Sequence, residues 1–131
     1  MSDTTLAEVR GFPASREIAP RSLNRLERAG WAMIARETLG IRPGEALALL
    51  EMVMNPGRIV SYERLDAFFG PQDGRMSGAA SRRLGCYMAR VRASLEDFGV
   101  PRTAIENLAG VGYAIAPHYA RRLRQIVEDG E

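Results

Sequence analysis

This chain predicts a mainly α fold with a small β-hairpin, an α+β architecture. Three observations carry that reading. Apolar residues recur at helical spacing in several separate stretches. A single region, residues 103–116, sets β-capable runs on either side of a glycine-rich turn. With 131 residues, 46 % of them hydrophobic, there is room for one core and a short extension.

Taken in order, residues 1–20 are polar, contain Pro13 and Pro20, and read as a flexible arm. From Arg21 to Leu39, the residues Leu23, Leu26, Trp31 and Ile34, with Met33 at their edge, trace one apolar face. They predict a helical extension over 21–40 that either covers the core or pairs with a second copy; the size of Trp31 favours the core. Gly30 costs about 1 kcal/mol against alanine inside a helix and admits a kink or two shorter pieces. Gly40 is the expected stop. Pro43 suits a first helical turn, and Ala46 to Met54 is a strongly apolar helix. Asn55-Pro56-Gly57 supplies turn chemistry, Ile59-Val60 a short extended piece, and Ser61 an N-cap. Leu65, Phe68 and Phe69 mark the inner side of the short helix that follows.

Ser77 is the candidate cap of a longer helix over about 79–97, on which Leu84, Met88, Val91 and Leu95 fall at i, i+4, i+7 and i+11. Gly85 interrupts it. Thr103 to Leu108 and Tyr113 to Ala116 form the hairpin around Ala109-Gly110-Val111-Gly112, whose glycines suggest positive φ rather than a phosphate loop. Residues 117–131 make a C-terminal helix with Leu123, Ile126 and Val127 inward.

Composition narrows the function classes. The net charge is only +2, but all 18 basic residues are arginine, the usage expected of a GC-rich genome. Every cationic contact can therefore be planar and forked. Cys86 is the sole cysteine, which excludes an internal disulfide and a thiol metal cluster; it is a small filler or, less simply, a redox sensor. No apolar run approaches the roughly 18 residues of a membrane span, and the first residues lack the apolar segment of a secretory signal, so a cytoplasmic location is expected. His118 is a lone surface histidine, the methionines read as packing, and the carboxylates show no paired arrangement. No enzyme, metal or cofactor is predicted. The Arg121-Arg122-Leu123-Arg124 cluster is a solvated face, a phosphate-contacting extension, a dimer contact or, least simply, a membrane-surface helix.

The most informative stretch runs from Gly74 to Leu95, with five arginines and no acidic residue. At about 100° per residue, Arg82, Cys86, Ala89 and Arg90 lie opposite the apolar stripe, with Arg83 at the edge. A helix that is apolar behind, cationic in front and small at its crown can enter a DNA major groove.

Helix, turn, short strand, helix, longer helix and hairpin follow each other in the order of a winged helix. Ile41-Arg42-Pro43-Gly44-Glu45 resembles the L-T-P-x-E opening of the OmpR/PhoB-type DNA-binding domains of two-component response regulators. Asn55-Pro56-Gly57-Arg58-Ile59-Val60-Ser61 is similar to their N-P-G-R-V-V-S turn. Tyr87-Met88-Ala89-Arg90-Val91-Arg92-Ala93-Ser94-Leu95 resembles their H-I-x-R-L-R-x-K-L recognition helix, and Gly110-Val111-Gly112-Tyr113 their wing.

The resemblance implies a winged helix-turn-helix over 41–116, with helix 79–97 in the major groove and the hairpin near the minor groove. It implies a sequence-specific transcription regulator acting on double-stranded DNA, with RNA polymerase and a second copy of the chain as further partners. Arg82, Tyr87 and Arg90 fall on family positions that contact DNA. Arg83 replaces a common threonine, Asn107 another, and Cys86 or Ala89 can rest on a thymine methyl. Arg75 and Arg92 complete the candidate DNA-facing set. The departures are Ala109 where the family's wing has arginine, helix in place of the family's N-terminal sheet, and no phosphoacceptor receiver domain. The alternative is a winged helix turned to binding RNA polymerase or another regulator.

Overall fold

The structure, a computed structural model, describes residues 23–70 and 78–129, with side chains on the helix that starts at Gly78 described from Arg82 onward. The arm 1–20, Arg75 and the proposed cap Ser77 lie outside the described residues. The architecture is mainly helical with one three-stranded antiparallel sheet: α1 (Arg25–Leu39), α2 (Pro43–Val53), β1 (Val60–Ser61), α3 (Tyr62–Asp66) with a 3-10 turn (Ala67–Phe69), α4 (Gly78–Glu96), β2 (Ile105–Leu108), β3 (Gly112–Ile115) and α5 (Pro117–Asp129).

Local chemistry sets the boundaries. Helix α1 begins at a capping box: the Asn24 side chain accepts from the Glu27 N–H at 2.9 Å, and the Glu27 carboxylate accepts from the Asn24 N–H at 3.0 Å. This reciprocal cap starts the helix at Arg25 rather than Arg21. It ends at Gly40, whose φ of +68° is the left-handed conformation that glycine adopts without a Cβ penalty. Gly30 leaves α1 unbroken, and Gly85 leaves α4 unbroken. Pro43 opens α2, and the Ser61 side chain caps α3 by accepting from the Arg64 N–H.

The sheet runs in the order β1-β3-β2, with Val60 opposite Tyr113 and Asn107 also opposite Tyr113. The two hairpin glycines do different jobs. Gly110 turns the chain at φ +78°. Gly112 has no positive φ; a Cβ there would lie 2.0 Å from the Val60 carbonyl oxygen, so glycine is what lets β1 approach β3. A similar need holds at Gly44, where a Cβ would meet the Phe69 ring at 2.7 Å and seat α2 too far from the 3-10 turn.

The core joins all five helices to the sheet. Leu84, Met88, Val91 and Leu95 of α4 are buried as the spacing predicts, as are Leu123, Ile126 and Val127 of α5. Because α1 packs on α2 and α5, α1 and α5 share one core with the elements from α2 to β3. The ion pairs of buried Glu51 on α2 with Arg28 of α1 (2.7 Å) and with Arg64 of α3 fasten the three helices together.

The apolar face expected on α1 is corrected by the structure. Its buried residues are Trp31, Ala32, Ala35 and Leu39, while Leu26, Met33 and Ile34 stand 82 %, 59 % and 49 % exposed. The packed side is the flatter one, where alanines let α1 lie close against α2 and α5. Phe68 and Phe69 are half-buried and pack against the core, as expected of the inner side, while Ile59 is exposed ahead of β1. Met52 and Met88 pack in the core, Met54 lies against it, and Met33 does not.

Candidate nucleic-acid interface

Helix α4 presents one face to the core and one to solvent. With Leu84, Met88, Val91 and Leu95 holding it down, the 3.6-residue period turns Arg82, Cys86, Ala89 and Arg90 outward, and all four are exposed. Those four share a surface, as expected. Cys86 carries an exposed thiol, and the side chain of Arg82 makes no hydrogen bond or ion pair with a described residue.

The remaining arginines of α4 are tethered, and this the spacing does not reveal. Arg83, expected at the open edge, turns back onto α3. Its Nε and Nη2 donate to the two carboxylate oxygens of Asp66 at 3.0 and 2.8 Å, and Nη2 also donates to the Gly70 carbonyl at 3.0 Å. Asp66 is buried, so this side-on pairing supplies the partner that a desolvated carboxylate requires. Arg92 points to the hairpin, donating from Nε and Nη2 to the Ile105 carbonyl at 3.2 and 2.6 Å with its guanidinium over the Tyr113 ring. It ties α4 to β2 and does not share the outer face.

Arg90 stands between these cases. Its Nε donates to Glu45 Oε2 at 3.1 Å, with Nη2 3.0 Å from the same oxygen, yet its side chain is 48 % exposed. Glu45 is 2 % exposed and uses its other oxygen to accept the Arg42 N–H at 2.9 Å, capping α2. A guanidinium carries five donors in a fixed fork. Glu45 takes the Nε side, and the opposite edge of Arg90 remains turned outward.

Tyr87 is half-buried, its ring stacked on Phe69 with centroids 4.2 Å apart and planes at 1°, and the Arg90 guanidinium lies 5.1 Å from its centre. The α2 start, the 3-10 turn and the middle of α4 therefore meet through Glu45, Phe69, Tyr87 and Arg90. On the hairpin, exposed Asn107 accepts the Tyr62 hydroxyl at 2.6 Å, which fixes β2 against α3. Burial raises the pKa of the Tyr113 hydroxyl, against the lowering pull of Arg92, and the ring packs edge-on to Tyr62.

Glu45, Asp66, Phe69 and Tyr62 are the positioning residues that sequence reasoning missed. A signal was present for Glu45: a carboxylate immediately before an apolar run must be paired if that run is buried. Among the described residues, no cluster of histidine, cysteine, aspartate and glutamate could hold a metal ion, and no helix is long and apolar enough to cross a membrane. No protein-family model, curated protein or solved structure matches the chain.

Proposed function

We propose that the protein is a sequence-specific DNA-binding transcription regulator of winged-helix type, with α4 as the recognition helix in the major groove and the β2–β3 hairpin as its wing. The observation that carries this reading is the outer face of α4, where exposed Arg82 and the outward edge of Arg90 flank the small side chains Cys86 and Ala89. Small residues let a helix sit deep in a groove, while a forked guanidinium reads guanine O6 and N7 or grips a phosphate. The motif order over residues 41–116 supports an OmpR/PhoB-type domain, and the strand order β1-β3-β2 is compatible with it. The reading carries a cytoplasmic, nucleoid-associated location and no catalytic role.

The tethers sort the candidate residues. Arg82 and Arg90 contact bases or phosphates, whereas Arg83 and Arg92 hold the helix in place for them. Arg82→Ala is expected to weaken binding to a selected duplex by about 1–3 kcal/mol without lowering thermal stability, measured by fluorescence anisotropy and a thermal melt.

A second reading has its own support. Three arginines of α4 are engaged within the chain, and Ala109 at the exposed hairpin turn carries no cation. A winged helix of this kind could dock on RNA polymerase or another regulator. A gel shift on random duplex at low and moderate salt separates the two, because a protein-docking module retains no duplex at either salt.

A further inference from the structure

We propose that Glu45 is a positioning residue that commits Arg90 to a guanine rather than to a phosphate; the inference rests on α4 being a recognition helix. Arg90 Nε and Nη2 both lie against Glu45 Oε2, at 3.1 and 3.0 Å, so the side-on edge of the guanidinium is taken. One N–H on each of Nη1 and Nη2 is left at the end of the fork. The Tyr87 ring, itself stacked on Phe69, has its centre 5.1 Å from the guanidinium and bounds it on a second side.

The free end of the fork presents two donors and no acceptor. In the major groove only guanine shows two adjacent acceptors, O6 and N7. Adenine sets a donor beside its N7, thymine a methyl beside its O4, and cytosine offers a donor. A phosphate is disfavoured for two reasons. Glu45 is 2 % exposed and its other oxygen accepts the Arg42 N–H, so an Arg90 that swung to the DNA backbone would strand a buried carboxylate oxygen. A phosphate approaching the tethered guanidinium also meets the Glu45 charge behind it, whereas the guanine edge is neutral. Exposed Cys86, Ala89 and Ala93 put small side chains around Arg90, so a base edge can come within its reach.

The test uses the full chain and the duplex it selects from a random pool. Replacing each guanine in turn by 7-deazaguanine removes N7 and is expected to weaken wild-type binding about fivefold or more at one position. This arm needs no variant. Arg90→Met combined with Glu45→Gln leaves no buried charge unmatched, and the double variant should bind the guanine and 7-deazaguanine duplexes within about twofold of each other. Glu45→Gln alone keeps an oxygen for the Arg42 N–H but turns an amide toward Arg90 and releases it. Its preference for guanine at that position is expected to fall about threefold or more, with other positions unchanged and a steeper salt dependence as Arg90 reaches a phosphate. Circular dichroism checks that each variant is folded. A wild type indifferent to every 7-deazaguanine overturns the inference, as does a double variant that still responds to the substitution. So does a Glu45→Gln chain that keeps its guanine preference, or one that weakens on all sequences alike, the mark of a purely structural cap. In each of these cases the selected motif remains and DNA recognition stands; a wild type that selects no motif overturns both.

Discussion

Helices α1 and α4 are both amphipathic, both carry an internal glycine, and both are anchored by arginine–carboxylate pairs to buried acids on other elements. They differ in what they leave outside. Helix α4 puts its large apolar residues inside and turns arginine and small side chains to solvent; α1 packs a tryptophan and alanines inside and leaves leucine, methionine and isoleucine out. An exposed cationic face needs no further partner to be stable in water, so its use must come from what it attracts. An exposed apolar face has hydrophobic free energy still to gain, and a second surface can supply it. Under the proposed function the cationic face of α4 reads a ligand, while the apolar face of α1 lies on a different helix.

That division can be broken most forcefully at Trp31. Trp31→Ala removes a buried aromatic and is expected to destabilise the fold by about 3–5 kcal/mol, whereas Leu26→Ala, five residues earlier on the open side, should stay within about 0.5 kcal/mol in the dilute monomer. Equal losses in urea denaturation would mean that α1 has no distinct inner and outer faces. The next effect in size concerns the tethers of α4. Arg83→Ala strands the buried Asp66 carboxylate and is expected to cost about 3 kcal/mol of stability, against almost none for Arg82→Ala next to it. Thermal melts of the two variants distinguish a structural arginine from a ligand-facing one. The smallest effect is at the glycines. Gly30→Ala and Gly85→Ala each add a methyl group into open space within a helix and should each raise stability by about 1 kcal/mol. A loss at either position would reveal a contact that the isolated chain does not show.

The two helices also differ in how far the sequence discloses them. The stripe on α4 is legible because its four apolar residues recur at helical spacing and, Tyr87 apart, are interrupted only by arginine and small residues. On α1 the same reasoning selects Leu23, Leu26, Trp31 and Ile34, and two of those, Leu26 and Ile34, are exposed, while Leu23 packs against the core from just before the helix. Alanine contributes little to a periodicity pattern, yet Ala32 and Ala35 are what allow α1 to lie against α2 and α5. The pattern states that a helix has an apolar side; which side is covered depends on the shape of neighbours distant in sequence. The candidate interface shows the same limit. The absence of acids between Gly74 and Leu95 suggests a field of unpaired cations, but Asp66 and Glu45 reach two of them from α3 and α2. Caps and turns are another matter. Gly40, Pro43, Ser61 and Gly110 act within a few residues of themselves, and the structure uses each of them as the local chemistry requires.

Whether the outer face of α4 reads DNA is decided most directly by selecting bound duplexes from a random pool with the full chain. The enriched sequence is then titrated against wild type and Arg82→Ala over a salt series. A single enriched motif is expected, with wild-type affinity falling as salt rises and Arg82→Ala weaker by about tenfold or more at fixed salt. Absence of any enriched motif, together with no binding to duplex at low salt, would contradict a recognition helix here.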